Sequence, residues 1–256
     1  ANRLDQRLSA DAFPVELAEV AKTLNEMLAR LEKSFRRLSD FSSDLAHELR
    51  TPVSNLLTQT QVTLSKTRTR EEYQDVLASN AEEFERLTRM ISDMLFLAKS
   101  DNSLIVPHRE RVDLAAEIGS LFEFYEALVE EKGVTLSRSG EGSVFGDRLM
   151  LRRAVNNLLS NAVRHTPKGG VIKAVIDDSD AAIITLSIEN TGETIAPEHL
   201  VRLFDRFYRA NASPQSFGEG AGLGLAITRS IAHAHGGEVL AHSENGVTRL
   251  EIRLPV

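Results

Sequence analysis

His47 is the residue whose type and neighbours are best suited to covalent chemistry. Glu48 follows it directly, and Thr51 lies one helical turn further on in a largely polar stretch. An exposed imidazole can act as a nucleophile toward a phosphoryl group, and a neighbouring carboxylate can accept the proton from one ring nitrogen and leave the other basic. A solvated histidine on a charged helix is the plainer interpretation, and these residues taken alone favour it.

A second set of residues has the chemistry to hold a cation bound to phosphates. Asn157 and Asn161 lie four apart, and Arg164 and His165 continue the same helical face. Amide oxygens bind Mg²⁺ without adding charge, and an arginine can neutralise a phosphate oxygen. A polar helix face in solvent explains the same pattern, so both interpretations stay open on the residues alone.

A glycine-rich stretch, residues 218–225, leads directly into a helical pattern. Glycines let the backbone approach phosphate oxygens, and a helix start offers unpaired N–H groups and a positive dipole end. The stretch lacks the Lys-Ser/Thr ending of a P-loop and does not follow a strand, which excludes the Walker and Rossmann motifs. Residues 212–217 are expected to form a mobile lid over a nucleotide. A flexible loop without a ligand is the alternative.

Composition excludes several other classes of protein. The chain has no cysteine, which rules out disulfides, thiolate metal sites and a cysteine nucleophile. A net charge of −7, no tryptophan and 5% aromatic residues argue against a nucleic-acid binder. His233 and His235 lie two apart on a predicted helix and point in different directions, so we interpret them as surface or helix-end residues rather than metal ligands.

Two interleaved seven-residue series would position His47. Apolar residues at this spacing predict a coiled-coil seam, from which His47 points outward. Pro52 falls within the seam one turn from His47, where a proline costs about 3 kcal/mol and predicts a bend. The first series is Leu17, Leu24, Leu31, Leu38 and Leu45, and the second is Ala21, Leu28, Phe35, Ser42, Leu49 and Leu56.

A further seven-residue series follows the polar hinge at residues 65–70, and it predicts an antiparallel helical hairpin. A hairpin cannot bury such a stripe alone, so two copies are expected to close into a dimeric four-helix bundle. The series consists of Leu77, Phe84, Ile91 and Ala98.

The second half of the chain reads as a mixed α+β layer domain after a linker at residues 100–103. Asp113 is predicted to cap a helix through Lys132, and Asn245-Gly246 to join a terminal hairpin. Further helices are predicted over residues 147–165 and 223–235, and strands over 134–136, 171–176, 183–188, 238–241 and 248–254.

Five strings, in order, resemble the motifs of the cytoplasmic portion of a bacterial sensor histidine kinase. Each string is weak by itself, whereas all five in the family's order are highly specific. They are SSDLAHELRTP at 42–52 (phospho-acceptor box), NLLSNAVRHTP at 157–167 (asparagine box), ENTGETI at 189–195 (first glycine box), FDRFYRA at 204–210 (phenylalanine box) and GEGAGLGLAI at 218–227 (second glycine box).

The resemblance implies three segments. Residues 1–36 would end a HAMP-like signal-relay helix, 37–103 would form the dimerisation and phosphoacceptor domain, and 104–256 the catalytic ATP-binding domain, a mixed α/β sandwich. The sequence GETIAPEHL followed by RLFDRFYRA is similar to that of the copper- and silver-sensing members of the family.

The resemblance also implies roles for residues. His47 would be autophosphorylated, with Glu48 as general base and Thr51 positioning the water that removes phosphate from the partner protein. The expected ligands of Mg·ATP are Asn157 and Asn161 for Mg²⁺, Arg164 and Arg209 for phosphates, His165 and Asn190 for the adenine, and Gly220, Gly222 and Gly224 around the polyphosphate; Gly192 is a further expected nucleotide-binding residue.

Two residues depart from the family pattern. Asn190 stands where the family has an aspartate that accepts a hydrogen bond from the adenine amine, and Thr194 replaces the second glycine of the same box. The amide oxygen of Asn190 can still accept that bond without the strength that a charge adds. We therefore expect nucleotide binding to survive in weakened form.

The expected function is that of an ATP-dependent protein-histidine kinase of a two-component system. It would pass the phosphoryl group to a response-regulator aspartate and also dephosphorylate that regulator. Its cofactors would be ATP and Mg²⁺, and it would act as a homodimer without nucleic acid or membrane contact within this part. Because the chain begins without Met in an already patterned stretch, and has no apolar span or signal segment, we expect a soluble fragment of a longer protein. The resemblance implies that this fragment is cytoplasmic and that the parent protein lies in the bacterial inner membrane. An ATPase of the same nucleotide fold and a catalytically silent dimeric scaffold are the alternatives.

Overall fold

The structure, a computed structural model, describes residue 8 and residues 15–102, 104–210 and 222–256, with the side chains of 15–17, 34–41 and 44 outside the description. The chain divides into two compact units between Leu87 and Thr88. Among the residues described, no helix combines the length and apolar character needed to cross a membrane.

The first unit consists of one long helix and the part of a second long helix that precedes Thr88; the rest of the second helix belongs to the second unit. Helix α1 spans Val15–Leu64 and continues through Pro52, and α2 spans Arg70–Asp101. A reciprocal pair of hydrogen bonds starts α2: the Thr69 hydroxyl accepts the N–H of Glu72 at 3.2 Å, and the Glu72 carboxylate accepts the N–H of Thr69 at 2.9 Å. Asn80 donates to Thr60 across the pair at 3.5 Å. The predicted hairpin is therefore present.

Both helices carry large apolar side chains that a single chain leaves uncovered. Leu56 and Leu87 are buried, whereas Leu77 on α2 is 66% exposed. Other exposed members of the seven-residue series are Leu24, Leu31, Phe84 and Ile91. Helix α2 also extends to Asp101, so the linker predicted at residues 100–103 begins later than its composition indicated.

The second unit contains a five-stranded sheet in the order β2-β4-β5-β7-β6, with β2 parallel to β4 and the other pairs antiparallel. A separate antiparallel pair, β1 with β3, was not predicted. The elements after α2 are β1 Glu110–Asp113, α3 Leu114–Glu131, β2 Thr135–Ser139, β3 Ser143–Gly146, α4 Arg148–His165, β4 Val171–Asp180, β5 Ile183–Thr191, α5 Pro197–Leu200, α6 Gly224–Ala234, β6 Glu238–Glu244 and β7 Val247–Pro255.

Alternate residues of β4, β5 and β7 form the core, because side chains two apart on a strand point to the same face of the sheet. Helices α3, α4 and α6 pack on this face, and each large apolar side chain buried there contributes about 1.5–3 kcal/mol. The expected mixed sandwich is confirmed. Its buried strand residues are Ile172, Ala174, Ile176, Ile184, Leu186, Ile188, Leu250, Ile252 and Leu254.

Capping and turn residues correctly predicted several of the helix and strand ends. Asp113 and Asp147 cap α3 and α4 by accepting the backbone N–H of Ala116 and Met150. The turn between β6 and β7 has positive φ at both Asn245 (52°) and Gly246 (75°), as a two-residue hairpin turn requires.

His235 ends α6, as predicted, but it is buried rather than at the surface, with 4% of its area exposed. Its Nδ1 donates to the carbonyl of Ile231 at 2.8 Å, and its Nε2 accepts the N–H of Asp147 at 2.9 Å. An imidazole with one donor and one acceptor can therefore join the end of α6 to the start of α4.

The stability of the second unit is expected to depend on the ionisation of Asp147. Partial burial raises the pKa of its carboxyl, but hydrogen bonds from the N–H groups of Met150, His108 and Leu149 outweigh burial and hold the pKa below its ordinary value. A lowered pKa in the folded state means that the carboxylate stabilises the fold at neutral pH and that this contribution is lost as pH falls through the lowered pKa.

Asp147→Asn keeps a capping oxygen but cannot ionise. The difference in free energy of unfolding between the wild type and this variant, measured in urea, should be largest at about pH 6 and shrink steadily toward about pH 2. A difference that stays constant over that range would contradict this role.

Candidate functional site

The side chain of His47 is exposed on α1, while Leu45 and Leu49, two residues to either side, are half-buried. This agrees with the outward orientation predicted from the seam. Glu48 is half-buried and Thr51 is exposed one turn on. Neither His47 nor Glu48 has a side-chain hydrogen bond within the described residues. The imidazole is therefore available to a reactant.

Helix α4 separates an apolar face from a face of amides. The side chains of Asn157 and Asn161 are half-buried on the second face. Asn157 donates from Nδ2 to the carbonyl oxygen of Gly224 at 3.0 Å, and its Oδ1 has no hydrogen bond to any described residue. Asn161 makes no side-chain hydrogen bond to any described residue. The apolar face is buried through Leu151, Val155, Leu158, Leu159 and Ala162.

The phenylalanine string and the second glycine string meet through their backbones. The N–H of Phe207 donates to the carbonyl of Gly222 at 3.0 Å. Gly222 has φ of +67°, and a Cβ at this position would lie 2.9 Å from the carbonyl carbon of Phe207. Phe207 itself has a positive φ of 58°. Gly224 starts α6 directly afterwards, whereas Gly220 and the expected lid lie outside the described residues.

Gly222→Ala is expected to destabilise the second unit more than Gly169→Ala does. Both glycines have positive φ, which costs a β-carbon residue about 1–2 kcal/mol, but a Cβ at Gly169 meets nothing within 4 Å. The alanine at 222 adds a steric clash with Phe207, so we expect a further loss of at least about 1 kcal/mol. Urea denaturation of the two variants measures the difference in their free energies of unfolding. Equal losses of stability would show that the close approach to Phe207 does not add to the cost of the alanine at 222.

The first glycine string lies beside the end of α4. Asn190 is buried on β5, and its Nδ2 donates to the carbonyl of Thr191 at 3.1 Å. A Cβ on Gly192 would lie 3.0 Å from the carbonyl oxygen of His165 and 3.4 Å from Nδ2 of Asn190. Because Gly192 has no side chain, the carbonyl of His165 and the side-chain amide of Asn190 can both lie close to its backbone. Arg164 and His165 are themselves exposed at the end of α4, and Arg209 is half-buried.

Thr194, which departs from the family pattern, has a partner of its own. Its hydroxyl accepts the N–H of Gly246 at 2.9 Å, and the N–H of Gly192 donates to the carbonyl of Gly246 at 2.9 Å. These two bonds tie the first glycine string to the β6–β7 turn. The loss of a glycine at 194 is thus matched by a hydrogen bond that a glycine could not make.

Sequence reasoning missed two groups near these elements. Arg153 on α4 forms an ion pair with Asp93 on α2 and lies over the ring of Phe96 at 4.6 Å. Burial raises the pKa of Asp93 despite the opposing effect of Arg153. The second group is Lys132, whose ammonium reaches the end of α4. The only local signal for Lys132 was its place at a helix end before Gly133.

Two protein families match this chain. Residues 37–103 match the His Kinase A (phospho-acceptor) domain. Residues 146–256 match the histidine kinase-, DNA gyrase B- and HSP90-like ATPase family. The first match contains His47, and the second contains the asparagine and glycine strings.

Curated relatives resemble nearly the whole chain. The sensor histidine kinase CusS of Escherichia coli O6:H1 strain CFT073 is 50% identical over 98% of this chain and 52% of its own length. The probable sensor protein PcoS of Escherichia coli is 51% identical over 98% of this chain and 54% of its own. The present chain thus spans about half the length of the curated relatives it matches.

A solved structure shares the fold. Full-length ShkA in complex with AMPPNP is 25% identical, with a TM-score of 0.63, and the match covers 85% of this chain and 45% of that one. Together with the two family matches, these similarities show that the chain belongs to the sensor histidine kinases. The resemblance predicted from the five strings is confirmed, and so is the similarity of residues 192–210 to the metal-sensing branch of the family.

Proposed function

We propose that this chain transfers the γ-phosphoryl group of ATP to the imidazole of His47 and then to an aspartate of a response regulator. The observation that carries the proposal is the imidazole of His47, which is exposed on a continuous helix within the phospho-acceptor match and has no hydrogen bond to any described residue. The nucleotide would bind in the second unit, where α4, the first glycine string and the start of α6 come together.

The phosphoryl group would move in two steps, first to His47 and then to the regulator. The unprotonated ring nitrogen of His47 attacks the γ-phosphorus, the bond from that phosphorus to the β–γ bridging oxygen breaks, and ADP leaves. Glu48 accepts the proton of the other ring nitrogen. A carboxylate oxygen of the regulator then attacks the phosphorus, the P–N bond breaks, and the imidazole recovers its proton. Thr51 would position the water that attacks the phosphorus of the regulator's aspartyl phosphate, which releases inorganic phosphate and the free aspartate.

The residues of the second unit fit a magnesium nucleotide. Asn157 and Asn161 offer neutral oxygen donors of the kind that Mg²⁺ binds, and the Asn157 oxygen is left over after its nitrogen bonds to Gly224. The ion would neutralise charge on the phosphates. Arg164 and Arg209 would contact phosphate oxygens, Gly220, Gly222 and Gly224 would surround the polyphosphate, and His165, Asn190 and Gly192 would surround the base. The AMPPNP of the ShkA complex supports ATP as the nucleotide.

Incubation with ATP labelled at the γ-phosphate and Mg²⁺ tests this function. The chain should acquire a label that is lost in acid and retained in base, whereas label at the α-phosphate should not transfer. Steady release of phosphate without a labelled chain would favour an ATPase of the same nucleotide fold. Calorimetry that detects no binding of Mg·ATP would favour a catalytically silent scaffold.

We also propose that the chain acts as a homodimer through α1 and α2. The uncovered apolar stripe supports this, since large apolar side chains at seven-residue spacing are typical of a helical interface. The domain arrangement that goes with it is a HAMP-like end at 1–36, a dimerisation and phosphoacceptor domain at 37–103 and an ATP-binding domain at 104–256. The phospho-acceptor match over 37–103 supports the second of these, and the ATPase match over 146–256 falls within the third.

Leu77→Glu should weaken this dimer by at least about 100-fold in dissociation constant. Each copy would lose a leucine worth about 1.5–3 kcal/mol and would bring a carboxylate into the apolar interface. Ser79→Glu is the matched control, because residue 79 is exposed and lies on a different side of α2. Sedimentation equilibrium measures both. Equal dissociation constants for the two variants would place the interface elsewhere.

For the longer protein of which this chain is expected to be the cytoplasmic part, we propose a metal-responsive sensor in the bacterial inner membrane. The similarity to CusS and PcoS along 98% of the chain supports this. Its partner would be a response regulator, and neither nucleic acid nor the membrane would contact the portion described here.

A further inference from the structure

Lys132 is a half-buried lysine that directly follows α3, and its ammonium group lies against the end of α4. It donates to the carbonyl oxygens of Val163 at 2.7 Å, Thr166 at 3.1 Å and Arg164 at 3.3 Å. The last carbonyls of a helix have no partner within the helix. A single cation therefore satisfies three of these oxygens and also complements the negative end of the helix dipole.

These three carbonyls flank His165, the residue whose own carbonyl lies against Gly192. A Cβ on Gly192 would lie 3.0 Å from that oxygen, so a small displacement of the α4 end would close or open the space between His165 and Asn190. Asn157 and Asn161 lie one to two turns earlier on α4, where the helix is held by its buried apolar face. The contacts of Lys132 therefore lie at the His165 end of α4 and not beside Asn157 and Asn161.

The turn from α3 to β2 also holds the loop that follows α4. The N–H of Thr135 donates to the carbonyl of Gly170 at 2.9 Å. A Cβ on Gly170 would lie 2.5 Å from the Thr166 methyl group and 2.5 Å from the Thr191 hydroxyl. The loop therefore has little room to move between Lys132 on one side and β5 on the other.

From this geometry we propose that Lys132 is a positioning residue for the base of the nucleotide. It fixes the end of α4 and so sets the distance between His165 and the Asn190–Gly192 wall against which the adenine would lie. This inference rests on the proposed ATP site. It assigns the ammonium no contact with ATP itself.

The test compares a nucleotide with a ligand that lacks the base. Dissociation constants of Mg·ATP and Mg·tripolyphosphate are measured by calorimetry for the wild type and for Lys132→Met in the full chain. We expect the variant to bind ATP about tenfold more weakly, because three charge-assisted hydrogen bonds are lost, and to bind tripolyphosphate within about twofold of the wild type. Lys132→Arg should recover part of the ATP affinity.

Lys168→Met is the matched control. Lys168 is exposed in the loop after α4, so its replacement removes the same charge from the same neighbourhood without touching the α4 carbonyls. It should leave both dissociation constants within about twofold of the wild type. If Lys132→Met does not fold, Lys132→Gln, which keeps an N–H donor, carries the same comparison.

Three results would overturn the inference. The first is an ATP affinity of Lys132→Met equal to that of the wild type. The second is an equal loss of ATP and tripolyphosphate affinity, which would indicate that the variant disturbs the whole unit. An equal loss in Lys168→Met would show a diffuse charge effect. Failure of the wild type to bind ATP at all would overturn the proposed function together with this inference, and so is distinguishable from the other three.

Discussion

His47→Ala is expected to lower the rate at which label from γ-labelled ATP appears on the chain by on the order of 1000-fold or more. The imidazole nitrogen forms the new bond to phosphorus, so no remaining contact can substitute for it. The same variant should bind Mg·ATP within about twofold of the wild type, because His47 belongs to the first unit and the nucleotide residues to the second. Filter-bound label after quenching in base measures the first quantity, and calorimetry the second.

His233→Ala provides the control for His47→Ala. It removes another exposed imidazole, near the end of α6, that has no role in the proposed reaction. Its labelling rate should match that of the wild type. If His47→Ala retained acid-labile label at the wild-type rate, a different nucleophile would accept the phosphoryl group.

Asn161→Ala is expected to lower autophosphorylation by on the order of 100-fold without changing the free energy of unfolding. The amide is proposed to hold Mg²⁺, and loss of groups that organise a metal site costs about 10- to 100-fold even when they are not ligands themselves. In the described part of the chain this amide makes no hydrogen bond. Its removal should therefore leave the free energy of unfolding unchanged.

Alanine variants of two neighbouring asparagines separate loss of the proposed metal site from loss of stability. Asn157→Ala should lose activity and also about 1 kcal/mol of stability, because its Nδ2 donates to Gly224. Asn156→Ala should lose similar stability through its bond to the Tyr125 hydroxyl but keep its activity. Labelling rates and urea denaturation of the three variants give the pattern. Equal activity losses at Asn156 and Asn161 would argue against a metal role for these amides.

Sequence reasoning succeeded where the signal lies within a few residues. The caps at Asp113 and Asp147, the turn at Asn245-Gly246 and the buried face of α4 all follow from spacing or turn chemistry. The positions of Asn157, Asn161, Gly222 and Gly224 on their elements followed in the same way. What these residues bind stays a prediction.

Contacts between distant residues could not be predicted. Strands β1 and β3 have four residues each, and their paired residues are 30 to 36 positions apart, so neither shows a pattern long enough to identify it. The bond from Gly246 to Thr194 joins residues 52 apart, and that from Asp147 to His235 residues 88 apart. Lys132 reaches carbonyls 31 to 34 residues away. In each case the partner is chosen by the packing of the sheet and helices, which no local pattern encodes.

The most direct test of the proposed phosphotransfer is to locate the phosphoryl group on the chain after incubation with Mg·ATP, by mass spectrometry of peptides kept at neutral to alkaline pH. We predict a single phosphorylated position, His47. Phosphate on any other side chain, or turnover of ATP that leaves the chain unmodified, would contradict it.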